Sequence, residues 1–179
     1  MKLISCTIEN FGKLNNVTYD FSGECNTICE DNGWGKSTLA SFIRVMFYGF
    51  KNESKKKLVD KERNRLMPWQ KGVYGGEIVF ETGGVVYSLR RTFGKKQVDD
   101  EFLLVRKDTN VECDDFSCDI GEELFKIDAQ SFERTVFIGQ SDCVTATTDS
   151  INAKIGNLAD NTDARMETLT EIFAADKSK

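Results

Sequence analysis

Cys25-Asn26-Thr27-Ile28-Cys29-Glu30-Asp31-Asn32-Gly33-Trp34-Gly35-Lys36-Ser37-Thr38 is the stretch on which the fold of this chain turns. Residues 25–29 read as a short apolar strand running directly into a glycine loop. After the loop, Leu39, Phe42, Ile43, Met46, Phe47 and Phe50 fall on one face of a helix that starts near Lys36 and ends near Gly49. A strand, a glycine-rich loop and a helix opening on Lys-Ser/Thr form the context that a phosphate-binding loop requires. Glycines let consecutive backbone N–H groups turn inward around an anion, and the helix N-terminus adds unsatisfied donors and a favourable dipole. In that arrangement Asn32, Gly33, Trp34, Gly35, Lys36, Ser37 and Thr38 cradle the phosphates. Lys36 supplies charge to the β- and γ-phosphates, Ser37 offers a hydroxyl to Mg²⁺, and Thr38 hydrogen-bonds the α-phosphate. The bland alternative is a chance glycine turn ahead of a helix, and the strand before it and amphipathic helix after it count against that.

One position departs from the full pattern G-x-x-x-x-G-K-[ST], which asks for glycine where this chain has Glu30. The position lies at the strand exit. A side chain fits there if the backbone stays in an ordinary region, and its carboxylate must point away from the phosphates.

Working outward, Ile4, Cys6 and Ile8 share one face of a first strand, and Val17, Tyr19 and Phe21 one face of a second. Residues 51–74 carry a basic run and Met67-Pro68-Trp69 without useful periodicity, and read as a mobile excursion. Glu77–Glu81 and Val85–Arg91 read as strands joined at Thr82-Gly83-Gly84, with Phe102–Arg106 a third of that group. Asp119 with Glu122 resembles a capping box opening a helix through Phe125, and Asp128 caps another over Phe132 and Val136. Beyond Asp149 short apolar stripes (Ile151, Ile155, Leu158; then Met166, Leu169, Ile172, Phe173) read as helix.

The 179 residues, 40% hydrophobic and 30% charged, suit one soluble domain. No apolar run is long enough for a membrane span, and no signal peptide opens the chain, so it is read as cytoplasmic. A net charge of -5 argues against adhesion to nucleic acid by overall charge. Two local clusters remain: Lys51, Lys55, Lys56, Lys57, Lys61, Arg63 and Arg65, and then Arg90, Arg91, Lys95 and Lys96. Each is either a solvated loop or a phosphate-backbone contact. The six cysteines are spaced too loosely for a neat zinc site, with no histidine to help, and read as free thiols.

Asn32-Gly33-x-Gly35-Lys36-Ser37 is similar to the loop of SMC-like ATPases, the group that includes SbcC-type repair proteins and RecF. The resemblance is closer to bacterial YhaN-like AAA-family ATPases. Met46-Phe47-Tyr48-Gly49, Met67-Pro68-Trp69, Tyr74-Gly75-Gly76, Leu89-Arg90-Arg91-Thr92-Phe93-Gly94 and Ser131 through Gln140 carry it in order, over most of residues 1 to about 160. The resemblance implies an α/β P-loop NTPase lobe of ABC type, a mixed sheet around the P-loop helix with an antiparallel β-layer. It implies ATP and Mg²⁺ as cofactors. Gln140 matches the Q-loop glutamine that touches Mg²⁺ and the attacking water, a catalytic and metal-binding role. Asn10, Phe11 and Lys13 match a turn near the nucleotide base. Trp34, at a variable position, either faces a second ATPase head or packs on its own surface.

A complete head also needs a signature loop and a Walker B strand ending in Asp-Glu. Leu103-Leu104-Val105-Arg106-Lys107-Asp108 is broken by basic residues, and Ile78-Val79-Phe80-Glu81 lacks the aspartate. The expectation is therefore an N-terminal ATP-binding lobe over residues 1–147 and a helical segment over 148–179 leading toward a coiled-coil arm. Hydrolysis would need a missing C-terminal half and a second head, in the full protein as a homodimer. DNA and a nuclease are the partners implied, in DNA repair or maintenance, with no membrane. The alternative is a non-catalytic nucleotide-binding module controlling partner association. A phosphate-loop kinase or GTPase is disfavoured, since no Asn-Lys-x-Asp motif appears.

Overall fold

A computed structural model describes residues 1–50 and 61–138. The chain divides into two compact units, Met1–Leu124 and Phe125–Lys179. The first is built on one sheet with strands in the order β2-β1-β3-β4-β5-β6. β1 (Lys2–Phe11) and β2 (Leu14–Asp20) form a hairpin, as do β3 (Gly75–Thr82) and β4 (Val85–Thr92). β5 (Glu101–Arg106) and the two-residue β6 (Val111–Glu112) complete the far edge.

Strand alternation decides which face is covered. Cys6 and Ile8 are buried along β1 while Ser5, Thr7 and Glu9 are not, and the strand ends in the buried pair Asn10 and Phe11. The register carries that row across the sheet, from Cys6 to Ile78, Leu89 and Leu104, all buried. Helix α1 (Lys36–Tyr48) lies on this face. Its Phe42 ring packs edge-on against Phe11 at 5.2 Å, and its Phe47 against Phe80 at 5.7 Å. The opposite face is polar. Arg90 pairs with Glu9 at 2.5 Å, and Glu77 accepts from Ser88 and from Lys107. Partial burial alone would raise the Glu77 carboxyl, but these bonds and the nearby Lys107 and Arg90 charges hold it below its ordinary value.

The β3–β4 hairpin, strands β1, β2 and β5, and helix α1 stand where the sequence places them. So do helix α3 (Ile120–Phe125) and, in the second unit, helix α4 (Ala129–Thr135), whose Asp128 side chain accepts from the Ser131 N–H at 2.7 Å. Three expectations need correction. The sheet is antiparallel at every pairing among the described residues, so the expected mixed sheet is not formed there. Residues 25–29 are not a strand, and Cys25 and Cys29 are exposed. A strand-like composition becomes a strand only where a neighbour accepts its ladder bonds, and none of the described strands pairs with these residues.

The third correction lies in the excursion, whose residues 51–60 fall outside the described set. Residues 61–74 hold a helical turn, α2 (Glu62–Arg65), driven in by charge rather than apolar pattern. Glu62 is 3% exposed and pairs with Arg44 of α1 at 2.5 Å. Arg63 is 2% exposed, forks onto both oxygens of Asp100 at 2.7 and 2.8 Å, and covers the Phe50 ring at 4.5 Å. Arg63 is thus a core residue and not part of a basic surface run. Arg90 and Arg91 likewise part company: adjacent on β4, they take opposite faces, one ion-paired to Glu9 and one buried.

Candidate functional site

The glycine loop bridges Glu30 to the first turn of α1, and two of its residues require glycine. Gly33 has φ +81° and Gly35, the residue before the helix, φ +127°. A Cβ at Gly35 would also stand 2.9 Å from Leu14 Cδ2, whereas at Gly33 nothing lies within 4 Å. The loop therefore packs on the β1–β2 turn on one side and opens to solvent on the other. Asn32, Gly33, Lys36 and Ser37 are exposed, and Trp34, Gly35 and Thr38 half-buried.

The helix start is a ready anion site. No side chain caps it and its first turn holds no acid, so its end N–H groups and dipole are uncompensated. Lys36 Nζ donates to the carbonyls of Glu30 at 2.6 Å and Asp31 at 3.0 Å, which folds the ammonium across the loop. The Ser37 and Thr38 hydroxyls have no hydrogen-bond partner among the described residues. Glu30 keeps its backbone out of the left-handed region, so the missing glycine costs no strain. Trp34 settles on its own surface, its ring edge-on to Tyr19 at 5.8 Å.

The β1–β2 turn needs sorting residue by residue. Phe11 is 0% exposed, stacked in a cluster with Phe42, Phe50, Tyr74 and Phe93, and cannot meet a ligand. Asn10 is buried and donates to the Val73 carbonyl at 3.0 Å, so it anchors the chain ahead of β3. Only Lys13 is exposed. Gly12 donates its N–H to the Leu66 carbonyl at 2.7 Å, and that bond brings residues 65–70 alongside the loop.

The result is a groove of about 420 Å³ lined by Gly12, Lys13, Thr38, Arg65, Leu66, Met67, Trp69 and Gln70. Trp69 is 99% exposed. Periodicity could not have found this groove, because it is assembled by the Gly12–Leu66 bond and the α2 ion pairs; Met67-Pro68-Trp69 was the one local signal. Gln140 lies outside the described residues, as does the 148–179 segment.

Residues 5–179 match the family described as AAA domain. The chain belongs to the AAA domain family. Protein YhaN of Bacillus subtilis (strain 168) is 35% identical over 82 residues, which is 45% of this chain and 8% of that protein. The chain thus spans a small part of the relative it matches. Both findings agree with the resemblance to SMC- and SbcC-like ATPases, a nucleotide-binding class. No helix among the described residues is long and apolar enough to cross a membrane.

Proposed function

We propose that this chain binds ATP with Mg²⁺ as the N-terminal part of an SMC-like ATPase head. The observation that carries the reading is the open glycine cradle at an uncapped helix start, with the Lys36 ammonium folded across it. Phosphates entering the cradle replace the two carbonyls as partners of Lys36, and Ser37 turns its hydroxyl to the metal. Mg²⁺ held there by Ser37 would offset the negative charge of the phosphates. Gln140 keeps the metal- and water-directed role that the resemblance gives it.

Thr38 marks the end of the cradle at which the α-phosphate lies. A nucleoside continuing from there enters the groove beside Thr38, where the bare Trp69 ring offers a stacking surface. Base–aromatic stacking is worth about 1–3 kcal/mol. Trp69→Ala should therefore weaken ATP by roughly tenfold, about 1.4 kcal/mol, and leave inorganic tripolyphosphate affinity unchanged. Titration of both ligands against both proteins checks this, and equal losses for the two would remove Trp69 from the base.

Neither a Walker B strand nor a signature loop occurs in the sequence, so the groups that activate water come from another segment or a second head. The expected result is ATP binding without appreciable turnover by this chain alone. Steady hydrolysis at the rate of an intact ATPase, abolished by Lys36→Ala, would overturn that. The wider role is in DNA repair or maintenance, with a paired head, DNA contacts to the phosphate backbone, and a nuclease partner. Its support is the family and the motif resemblance, and salt-dependent DNA binding by the complete protein is the measurement that tests it.

A further inference from the structure

Away from the phosphate loop, Arg91 is a buried arginine with no carboxylate in ion-pair range among the described residues. It is 8% exposed on β4, with its guanidinium 4.9 Å from the Phe102 ring centre. One terminal nitrogen donates to the Cys118 carbonyl, and Nε has no partner among the described residues. A guanidinium placed out of water without an anion is costly, and native chains rarely keep one idle. This one lines a cavity of about 260 Å³ whose walls include Tyr48, Phe50, Phe93 and Phe102.

The carboxylates lining the same cavity do not complete it. Asp100 gives both oxygens to Arg63, and Glu101 accepts from the Thr92 hydroxyl at 2.9 Å. Asp119 is exposed and acts on Arg91 through space without bonding it. No lining residue belongs to the phosphate loop.

We infer that this cavity is a second ligand site, for a small monocarboxylate with a planar apolar body. The guanidinium fork matches a carboxylate, and the aromatic walls match a flat apolar body. Charge selects the class further. With Asp100 spent on Arg63, Glu101 and Asp119 remain beside Arg91, so a polyphosphate is repelled more strongly than a single carboxylate seated on the guanidinium.

Benzoate is the probe, and the exposed thiol of Cys118 in the cavity wall is the reporter. Wild-type protein is treated with neutral iodoacetamide, and alkylation is followed at each cysteine by peptide mass mapping. Benzoate at twice its dissociation constant should slow Cys118 about threefold, and leave the exposed Cys25 and Cys29 unchanged. Benzyl alcohol and inorganic phosphate should not protect, and Arg91→Met should lose the protection. An unchanged Cys118 rate in benzoate, equal protection by phosphate or benzyl alcohol, or full protection in Arg91→Met would each overturn the site. The wild-type comparisons decide the matter even if the variant fails to fold.

Discussion

Glu62→Ala should destabilise the first unit by about 3–5 kcal/mol, the typical cost of removing one partner of a buried ion pair. Arg44 would keep its bond to the Gly49 carbonyl and lose the carboxylate 2.5 Å away. Stabilities of whole domains are about 5–15 kcal/mol, so the change takes a large share of the total. Urea unfolding of the two proteins measures it. The double variant Arg44→Met/Glu62→Leu should recover most of the loss, because both charges leave together and the volume stays filled. A single-variant loss below about 1 kcal/mol would show that the pair is reached by water after all.

Lys36→Ala should weaken ATP·Mg²⁺ binding by about 1.5–3 kcal/mol, the worth of a charge-assisted contact, or about 10- to 150-fold in dissociation constant. Its thermal midpoint should hardly move, since Lys36 is exposed and such surface changes stay within about 0.5 kcal/mol. The contrast with Glu62→Ala separates the two roles. One lysine serves a ligand, and one glutamate serves the fold. Unaltered ATP affinity in Lys36→Ala would end the phosphate-loop assignment.

Much of this architecture was legible in local pattern. The apolar stripe of α1 and its Gly49 stop, the β3–β4 hairpin, and the Asp128 cap rest on spacing and single-residue chemistry, and the chain honours them. What stayed hidden depends on distant partners. Residues 25–29 have strand-like composition and no neighbour to pair with. Glu62 and Arg63 look like solvated surface and are core, because Arg44 and Asp100 reach them from far along the chain. Phe11, matched by resemblance to a turn near the base, lies wholly inside for the same reason. In the site itself the loop was plain from the motif. The groove beside it was not, since it exists only once Leu66 is bonded to Gly12.

The way α2 is held has a consequence for chain connectivity. Phe50 packs on Phe93 at 4.8 Å and lies under Arg63, while Glu62 is fastened to Arg44. The two ends of the 51–60 stretch are therefore clamped together by side chains outside it. Both flanks are thus held to the first unit by contacts among described residues, and that hold does not run through the backbone between them.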